Sequence, residues 1–131
     1  MKEQTVSLKI SVPRGMLFLY DYSGSSIEIP TYSEGEVIAF SDTAISIATV
    51  SDLDGETAIL LSDSEVLPVG NPVELFSGQI FLETGNMNIC VMGDEKIAQI
   101  SAEIGTVNLN IYGDEKAFPK SISIYIRKAQ S

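Results

Sequence analysis

Apolar and polar residues alternate along most of this chain, and this period of two restricts the possible folds more than any other feature of the sequence. Residues 5–12 read TVSLKISV, so a strand through them places Val, Leu and Ile on one face and Thr, Ser and Lys on the other. The same alternation recurs at 45–48, 107–111 and 121–126. No stretch long enough for a helix, about 12 residues or more, shows the spacing of an amphipathic helix. The pattern therefore predicts half-buried β-strands.

Clusters of Gly, Pro, Asn, Asp and Ser separate these runs, as turns separate the strands of antiparallel proteins. Asp54-Gly55 predicts a hairpin between the runs at 45–51 and 57–61, because this pair accepts the positive φ angles of a tight turn. Since two packed sheets bury one face of many short strands, we expect an all-β fold, an antiparallel two-sheet β-sandwich, with residues 1–131 in a single domain. About ten strands are expected, near 5–12, 16–22, 27–32, 36–40, 44–51, 57–62, 73–76, 79–84, 87–92, 97–104, 106–112 and 121–127, and some of these runs must merge or drop out.

The composition excludes most familiar catalytic chemistry. The chain has no histidine, which rules out Ser-His-Asp and Cys-His relays, His-ligated zinc and an imidazole proton shuttle. Its single cysteine, Cys90, cannot form an intrachain disulfide and is interpreted as a small apolar side chain that is buried or faces a sheet edge, rather than as a nucleophile. Phosphate-binding and nucleophile-elbow motifs are also absent from the sequence. We therefore predict a protein that is not an enzyme, with no catalytic residue, cofactor or metal.

The amino-terminal segment indicates a cytoplasmic protein. Glu3, Lys9 and Arg14 interrupt any apolar run there, so neither a signal peptide nor a membrane anchor is predicted. No run of about 18 apolar residues occurs anywhere in the chain. We expect no contact with a membrane, and a single reduced thiol is ordinary in the cytoplasm.

Charge is distributed unevenly along the sequence. The chain carries 18 acidic and 8 basic side chains, for a net charge of −10, and all the basic residues lie in 1–14 and 96–131. Such a surface repels nucleic-acid phosphates, so direct binding of nucleic acid is not expected. Either the acidic middle of the chain attracts a basic protein partner, or it only keeps the protein soluble while the basic ends pair with it.

Tyrosines next to carboxylates, as in Tyr20-Asp21-Tyr22, suit the binding of cationic and planar groups such as Arg, although burial of these rings at a sheet rim is an equally valid interpretation. Acidic residues also cluster at the ends of several predicted strands. Together these residues form the predicted partner-binding set, which comprises Asp21, Tyr22, Tyr32, Glu34, Glu36, Asp52, Asp54, Glu56, Asp63 and Glu65.

Several segments, taken in order, carry a resemblance to a known family. PRGMLFLY follows the first strand at 13–20, ISIAT lies at 45–49, VELFSGQIFL at 73–82 and SIYI at 123–126. This order resembles the competence protein J family, small acidic inhibitors of a DNA-entry nuclease, over most of the chain. The resemblance implies a β-sandwich that binds and silences a nuclease, as a bacterial immunity protein does. It supplies no catalytic residue and assigns no inhibitory contact.

Two other classes of function fit the same residues. The chain could serve as a structural or accessory β-sandwich subunit of a larger assembly, with its acidic face merely solvated. It could also be a carbohydrate or calcium module, since Asp52, Asp54 and Glu56 faintly resemble a calcium loop, although the twelve-residue ligand spacing is missing. The identity of a basic partner, whether a nuclease or another toxin, and the oligomeric state are left open by the sequence.

Overall fold

The computed structural model describes residues 4–25, 27–30, 37–63, 73–91 and 95–128. Within these ranges the chain forms ten strands and a single 3₁₀ turn at Pro13–Gly15. The strands are β1 (Thr5–Ile10), β2 (Met16–Tyr20), β3 (Ile38–Phe40), β4 (Ala44–Ala48), β5 (Thr57–Ser62), β6 (Val73–Leu82), β7 (Asn86–Val91), β8 (Glu95–Ser101), β9 (Gly105–Gly113) and β10 (Ser121–Lys128).

The strands form two five-stranded sheets, which confirms the predicted β-sandwich. The first sheet has the order β1-β5-β10-β9-β6, and the second has the order β3-β4-β2-β7-β8. Neighbouring strands are antiparallel except β5 and β10, which run parallel. The β1 edge of the first sheet lies beside the β8 edge of the second. At the other side, the rings of Phe40 on β3 and Phe76 on β6 lie 5.3 Å apart.

The alternating apolar residues form the core between the sheets, as their period of two requires. Each fully buried Leu or Ile stabilises the fold by roughly 1.5–3 kcal/mol relative to an exposed side chain. The largest side chains in this core are Leu17, Leu19, Ile45, Ile47, Ile59, Leu61, Ile80, Leu82, Met87, Ile89, Leu109 and Ile111. On the outer face of the second sheet, Tyr20, Ala44 and Cys90 form a smaller buried cluster. The expected burial of Cys90 is therefore confirmed.

The structure decides three local predictions. Residues 73–76 and 79–84, two of the expected runs, merge into the single strand β6, which has a bulge between Glu74 and Phe76. Residues 27–30, part of an expected strand, form no strand. The predicted Asp54-Gly55 hairpin is wrong, because β4 and β5 belong to different sheets and the turn carries the chain from one sheet to the other.

Backbone hydrogen bonds close the sandwich at one end, which we call the Gly15 end. The Thr49 N–H donates to the Gly15 carbonyl at 2.7 Å, and the Val50 N–H donates to the Pro119 carbonyl at 3.1 Å. Because Val50 follows β4 and Pro119 precedes β10, the second of these bonds joins the two sheets. The Gly15 end holds residues 13–15, 49–56 and 114–120.

The opposite end, which we call the Asp21 end, lies at the other terminus of β2. There the Phe81 N–H of β6 donates to the Asp42 carbonyl at 2.8 Å and again joins the two sheets. The Asp21 end holds Gln4, Asp63 and residues 21–25, 41–43, 83–85 and 101–104. Among the described residues, no helix is long and apolar enough to cross a bilayer.

Candidate partner-binding surface

The six predicted partner-binding residues that the structure describes do not form one surface. Asp21, Tyr22 and Asp63 lie at the Asp21 end, whereas Asp52, Asp54 and Glu56 lie at the Gly15 end. Strand β5 runs between Glu56 and Asp63, and its six residues separate these positions by about 20 Å. The other predicted residues, Tyr32, Glu34, Glu36 and Glu65, lie outside the described ranges.

Asp21 is fully buried and serves the fold. Its carboxylate accepts hydrogen bonds from the Thr84 N–H at 2.6 Å and the Thr84 hydroxyl at 2.6 and 2.7 Å. The N–H groups of Ser23 and Asn86 add longer bonds at 3.2 and 3.4 Å. Burial by itself raises the pKa of Asp21, but these hydrogen bonds outweigh it and hold the pKa below its ordinary value. The carboxylate is not available to a partner, so we remove Asp21 from the predicted set.

Asp63 is half-buried and joins two strand edges. Its carboxylate accepts a hydrogen bond from the Gln4 backbone N–H at 2.7 Å and a longer one from the Gln4 side chain at 3.4 Å. The Gln4 side chain in turn donates to the Ser101 carbonyl at 2.7 Å and accepts from the Ser101 N–H at 2.9 Å. Asp63 therefore orients the residue that connects β1 to β8, which leaves it less free for a partner.

Tyr22 is 44% exposed, but the chain supplies its own cation to the ring. The Lys96 ammonium lies 5.6 Å from the centroid of the Tyr22 ring and also donates to the Gln99 side chain at 3.1 Å. The Tyr20 ring stacks on Tyr22 with centroids 6.2 Å apart. An Arg from a partner would have to compete with Lys96 for this ring, so Tyr22 is a weaker contact than its sequence neighbourhood indicates.

The loop at 51–56 presents its carboxylates to solvent. The Ser51 carbonyl accepts from the Asp54 N–H at 2.9 Å, and the Ser51 hydroxyl accepts from the Leu53 N–H at 3.2 Å. This turn leaves Asp52, Asp54 and Glu56 exposed. It also leaves Leu53 92% exposed between two carboxylates. Of the predicted residues that the structure describes, these three acids remain the best placed to meet a partner.

Phe118 lies at the same end and is 63% exposed. Its backbone has φ of +47°, a left-handed conformation that is uncommon for a bulky residue. The loop at 51–56 begins and ends beside the residues that follow Phe118, because Val50 donates to the Pro119 carbonyl and Ala58 donates to the Lys120 carbonyl at 2.9 Å. We call Asp52, Leu53, Asp54, Glu56 and Phe118 the Leu53 tip.

Leu53 and Phe118 were missed by the sequence analysis. Each lies in a turn segment outside the alternating runs, and an apolar residue in such a segment is the one local signal that could have indicated them. Their degree of exposure depends on how the two loops meet, which the local sequence does not specify.

Cations and carboxylates that are far apart in the sequence share the Gly15 end in space. Arg14, Lys116 and Lys120 are exposed there, in the same region as the loop at 51–56. Arg127 instead lies on β10, where its guanidinium donates to the Asn110 side chain at 2.7 Å. The lopsided charge of the sequence therefore becomes a mixed surface with a locally acidic loop. In the ranges that the structure describes, no group of three His, Cys, Asp or Glu side chains is arranged to hold a metal ion.

Solved structures share this fold. The crystal structure of ComJ, inhibitor of the DNA degrading activity of NucA, from Bacillus subtilis, matches with a TM-score of 0.72 and 10% identity, over 98% of this chain and all of that chain. This chain has the ComJ fold. A protein described as Crocagin biosynthetic gene J matches with a TM-score of 0.58 and 12% identity, over 99% of this chain and all of its own. No family model and no curated protein sequence matches.

The likeness to ComJ spans nearly the full length of both chains, and it confirms at the level of fold the resemblance that the order of sequence segments indicates. At this level of identity the likeness concerns the path of the backbone and transfers no contact residue. The contacts with a partner protein therefore depend on this chain's own side chains.

Proposed function

We propose that this chain is a non-catalytic inhibitor of the immunity type, which acts in the bacterial cytoplasm by binding a nuclease or another toxin that has a basic surface. The observation that carries the proposal is the fold shared end to end with ComJ, an inhibitor of a DNA-degrading activity. The absence of histidine and the net charge of −10 support a function in binding another protein rather than in catalysis.

Electrostatics gives such an inhibitor a simple mechanism. A nuclease must hold nucleic-acid phosphates and therefore carries cations along its binding track. Carboxylates that are fixed on a rigid sandwich attract those cations, raise the rate of association and can occupy the same track. In this chain the exposed Asp52, Asp54 and Glu56 are the described residues best suited to that role. Tyr32, Glu34, Glu36 and Glu65 stay in the proposed contact set as predictions, and Tyr22 is a weaker member.

The direct test is inhibition of DNA degradation. The purified full-length chain is mixed in micromolar excess with NucA from Bacillus subtilis, and separately with the nuclease encoded nearest to this chain's own gene. Cleavage of a fluorescent duplex is then followed with time. We expect at least one nuclease to be slowed in proportion to the amount of added protein, and to co-elute with it in gel filtration. If both nucleases cleave at unchanged rates and neither co-elutes, the proposal is wrong.

A second candidate function is that of an accessory subunit in a larger assembly. It is favoured by Phe40, which is 65% exposed at the β3 edge beside Phe76. An exposed ring at a sheet edge suits burial against another chain. Self-association through this edge predicts a mass that rises with concentration in sedimentation and returns to that of a monomer in the Phe40→Ser variant. A constant monomer mass would remove self-association from consideration.

A further inference from the structure

We propose that the Leu53 tip is the docking surface, with Leu53 and Phe118 as its apolar centre, and that it inserts into a basic protein cleft with an apolar pocket. This inference rests on the proposed function and names the part of the molecule that performs it. It concerns a protein partner, since the three exposed carboxylates beside Leu53 would repel both nucleic acid and an anionic membrane surface.

The first argument is the exposure of two large apolar side chains on adjacent loops. Leu53 is 92% exposed and Phe118 is 63% exposed, while most apolar residues of the neighbouring strands β4, β5 and β10 are buried. The hydrogen bonds of Val50 and Ala58 to the 119–120 backbone hold the two loops at fixed positions at one end of the sandwich. Because the backbone of both loops is already held in place, less conformational entropy is lost when they bind, which favours these side chains as anchors.

The second argument is charge complementarity. Asp52, Asp54 and Glu56 flank Leu53, and residues 51–56 contain no cation. Burying such carboxylates against an apolar or acidic surface would cost free energy without compensation, so the tip discriminates against those partners. Leu53 needs an apolar pocket, and the acids next to it need cations. A pocket rimmed by Lys or Arg provides both. This is the chemistry of a nuclease cleft.

The opposite end of the sandwich supplies a matched control. Ile104 is 75% exposed and follows Glu103, so it is another large apolar side chain next to an acid. It lies at the Asp21 end, a sheet length away from Leu53. Replacement of Ile104 removes a similar apolar side chain and leaves the Leu53 tip unchanged. It therefore tests whether the Asp21 end, rather than the Gly15 end, binds the partner.

The experiment compares three variants in the DNA-degradation assay with the same two nucleases. Leu53→Ser removes the leucine from a site where it is almost fully exposed and therefore leaves the core unchanged. Phe118→Gly removes the ring and places glycine at a positive φ, which glycine adopts without strain, so the variant should remain folded. Ile104→Ser is the control, and circular dichroism with thermal unfolding checks the fold of all three.

We expect Leu53→Ser and Phe118→Gly each to raise the inhibition constant by about tenfold, as loss of an interface anchor does, while Ile104→Ser changes it by less than about twofold. If the unaltered chain inhibits but only Ile104→Ser weakens it, or if none of the three does, this inference is wrong and the proposed function stands. If the unaltered chain inhibits neither nuclease, the proposed function fails and the inference fails with it.

Discussion

The carboxylate of Asp21 lies buried just after β2, where groups from the turn that follows β2 and from the β6–β7 turn surround it. In the sequence it stands between two tyrosines and is indistinguishable from an exposed acid. Its four donor groups come from Ser23, Thr84 and Asn86, and two of these residues are more than 60 positions away along the chain. A buried carboxylate with this many donors fixes the turn that follows β6 and stabilises the Asp21 end.

Asp21→Asn should lower the free energy of unfolding by about 2 kcal/mol at pH 7, because the amide replaces one acceptor by a donor and leaves buried N–H groups without a partner. The pKa of Asp21 is lowered in the folded protein, so its stabilising effect is complete above the unfolded pKa and is lost as the pH falls through the folded pKa. Urea unfolding from pH 7 down to pH 2 should therefore show the gap between wild type and variant closing in acid. Asp42→Asn changes an exposed acid at the same end, and its free energy of unfolding should match that of the wild type at every pH. If the difference between Asp21→Asn and the wild type stayed constant with pH, the interpretation would be contradicted.

Ser46 presents the opposite case, a buried hydroxyl that does not contribute a hydrogen bond. It lies on β4 between Phe18 and Ala39 and is fully buried, and among the residues that the structure describes its oxygen has no hydrogen-bond partner. Ser46→Ala removes an unsatisfied polar atom, so we expect the free energy of unfolding to stay the same or rise by up to about 1 kcal/mol.

Ser123→Ala is the matched control for Ser46→Ala. Ser123 is equally buried on a strand, but its hydroxyl hydrogen-bonds to Tyr125. This variant should lose about 1 kcal/mol of stability in the same urea titration. A clear loss for Ser46→Ala would show that its hydroxyl has a partner, such as a buried water molecule.

At the scale of elements, the corner between β1 and β2 depends on two adjacent residues with positive φ. Gly15 has φ of +65°, and a Cβ on it would lie 2.7 Å from the Thr49 carbonyl oxygen and 3.2 Å from that of Val50. Arg14 also has a left-handed backbone, with φ of +55°, but its side chain is exposed. The corner needs glycine at the second position, since only there does the backbone of the neighbouring loop approach closely.

Gly15→Ala should therefore destabilise the protein by about 2 kcal/mol or more, because the methyl group meets backbone that cannot move without breaking the bond from Thr49 to Gly15. Arg14→Gly should change stability by less than about 1 kcal/mol, since relief of strain in the folded state offsets the added freedom of the unfolded chain. Thermal unfolding of the two variants measures the difference. A loss for Gly15→Ala no larger than the roughly 1 kcal/mol that a positive φ costs an alanine would mean that backbone conformation alone, and not the close approach, determines the cost.

The Asp54-Gly55 turn shows why elements are easier to predict than their connections. The pair does form a turn between two strands, and Gly55 has the expected positive φ of +138°. Yet β4 pairs with β2 and β3, while β5 pairs with β1 and β10. Turn chemistry is local, but the choice of sheet depends on which distant strands offer a partner, so the hairpin prediction failed although both strands were predicted.

At the scale of the whole molecule, the position of a charge matters as well as the net charge. Exposed acids lie at both ends of the sandwich, and cations lie among them at the Gly15 end. Two pairs of exposed acids allow position to be separated from net charge: Asp52 with Asp54 at the Leu53 tip, and Glu28 with Asp42 at the Asp21 end. Reversal of either pair changes the net charge by the same amount.

Under the proposed function, Asp52→Lys with Asp54→Lys should weaken nuclease inhibition about tenfold at low salt and flatten its dependence on salt, because local carboxylates steer a basic partner. Glu28→Lys with Asp42→Lys should have a much smaller effect on both quantities. Inhibition constants measured between about 20 and 300 mM NaCl distinguish the cases. Equal losses for both pairs would mean that net charge alone attracts the partner.

The sequence by itself determined the strands, the sandwich and the exclusion of histidine chemistry. A period of two along a few residues specifies which face of a strand points into the core, and this information is local, as at Ile45 and Ile47 on β4 or Leu109 and Ile111 on β9. The absence of a residue type is also visible without a structure.

Only the tertiary structure decided which acids can meet a partner. Asp21 and Asp52 both stand in polar segments beside strand ends, yet the first is enclosed by Thr84 and the second is exposed beside Leu53. Burial of a side chain depends on which distant segments pack around it. Those contacts arise when the two sheets pack together, so no local sequence pattern contains them.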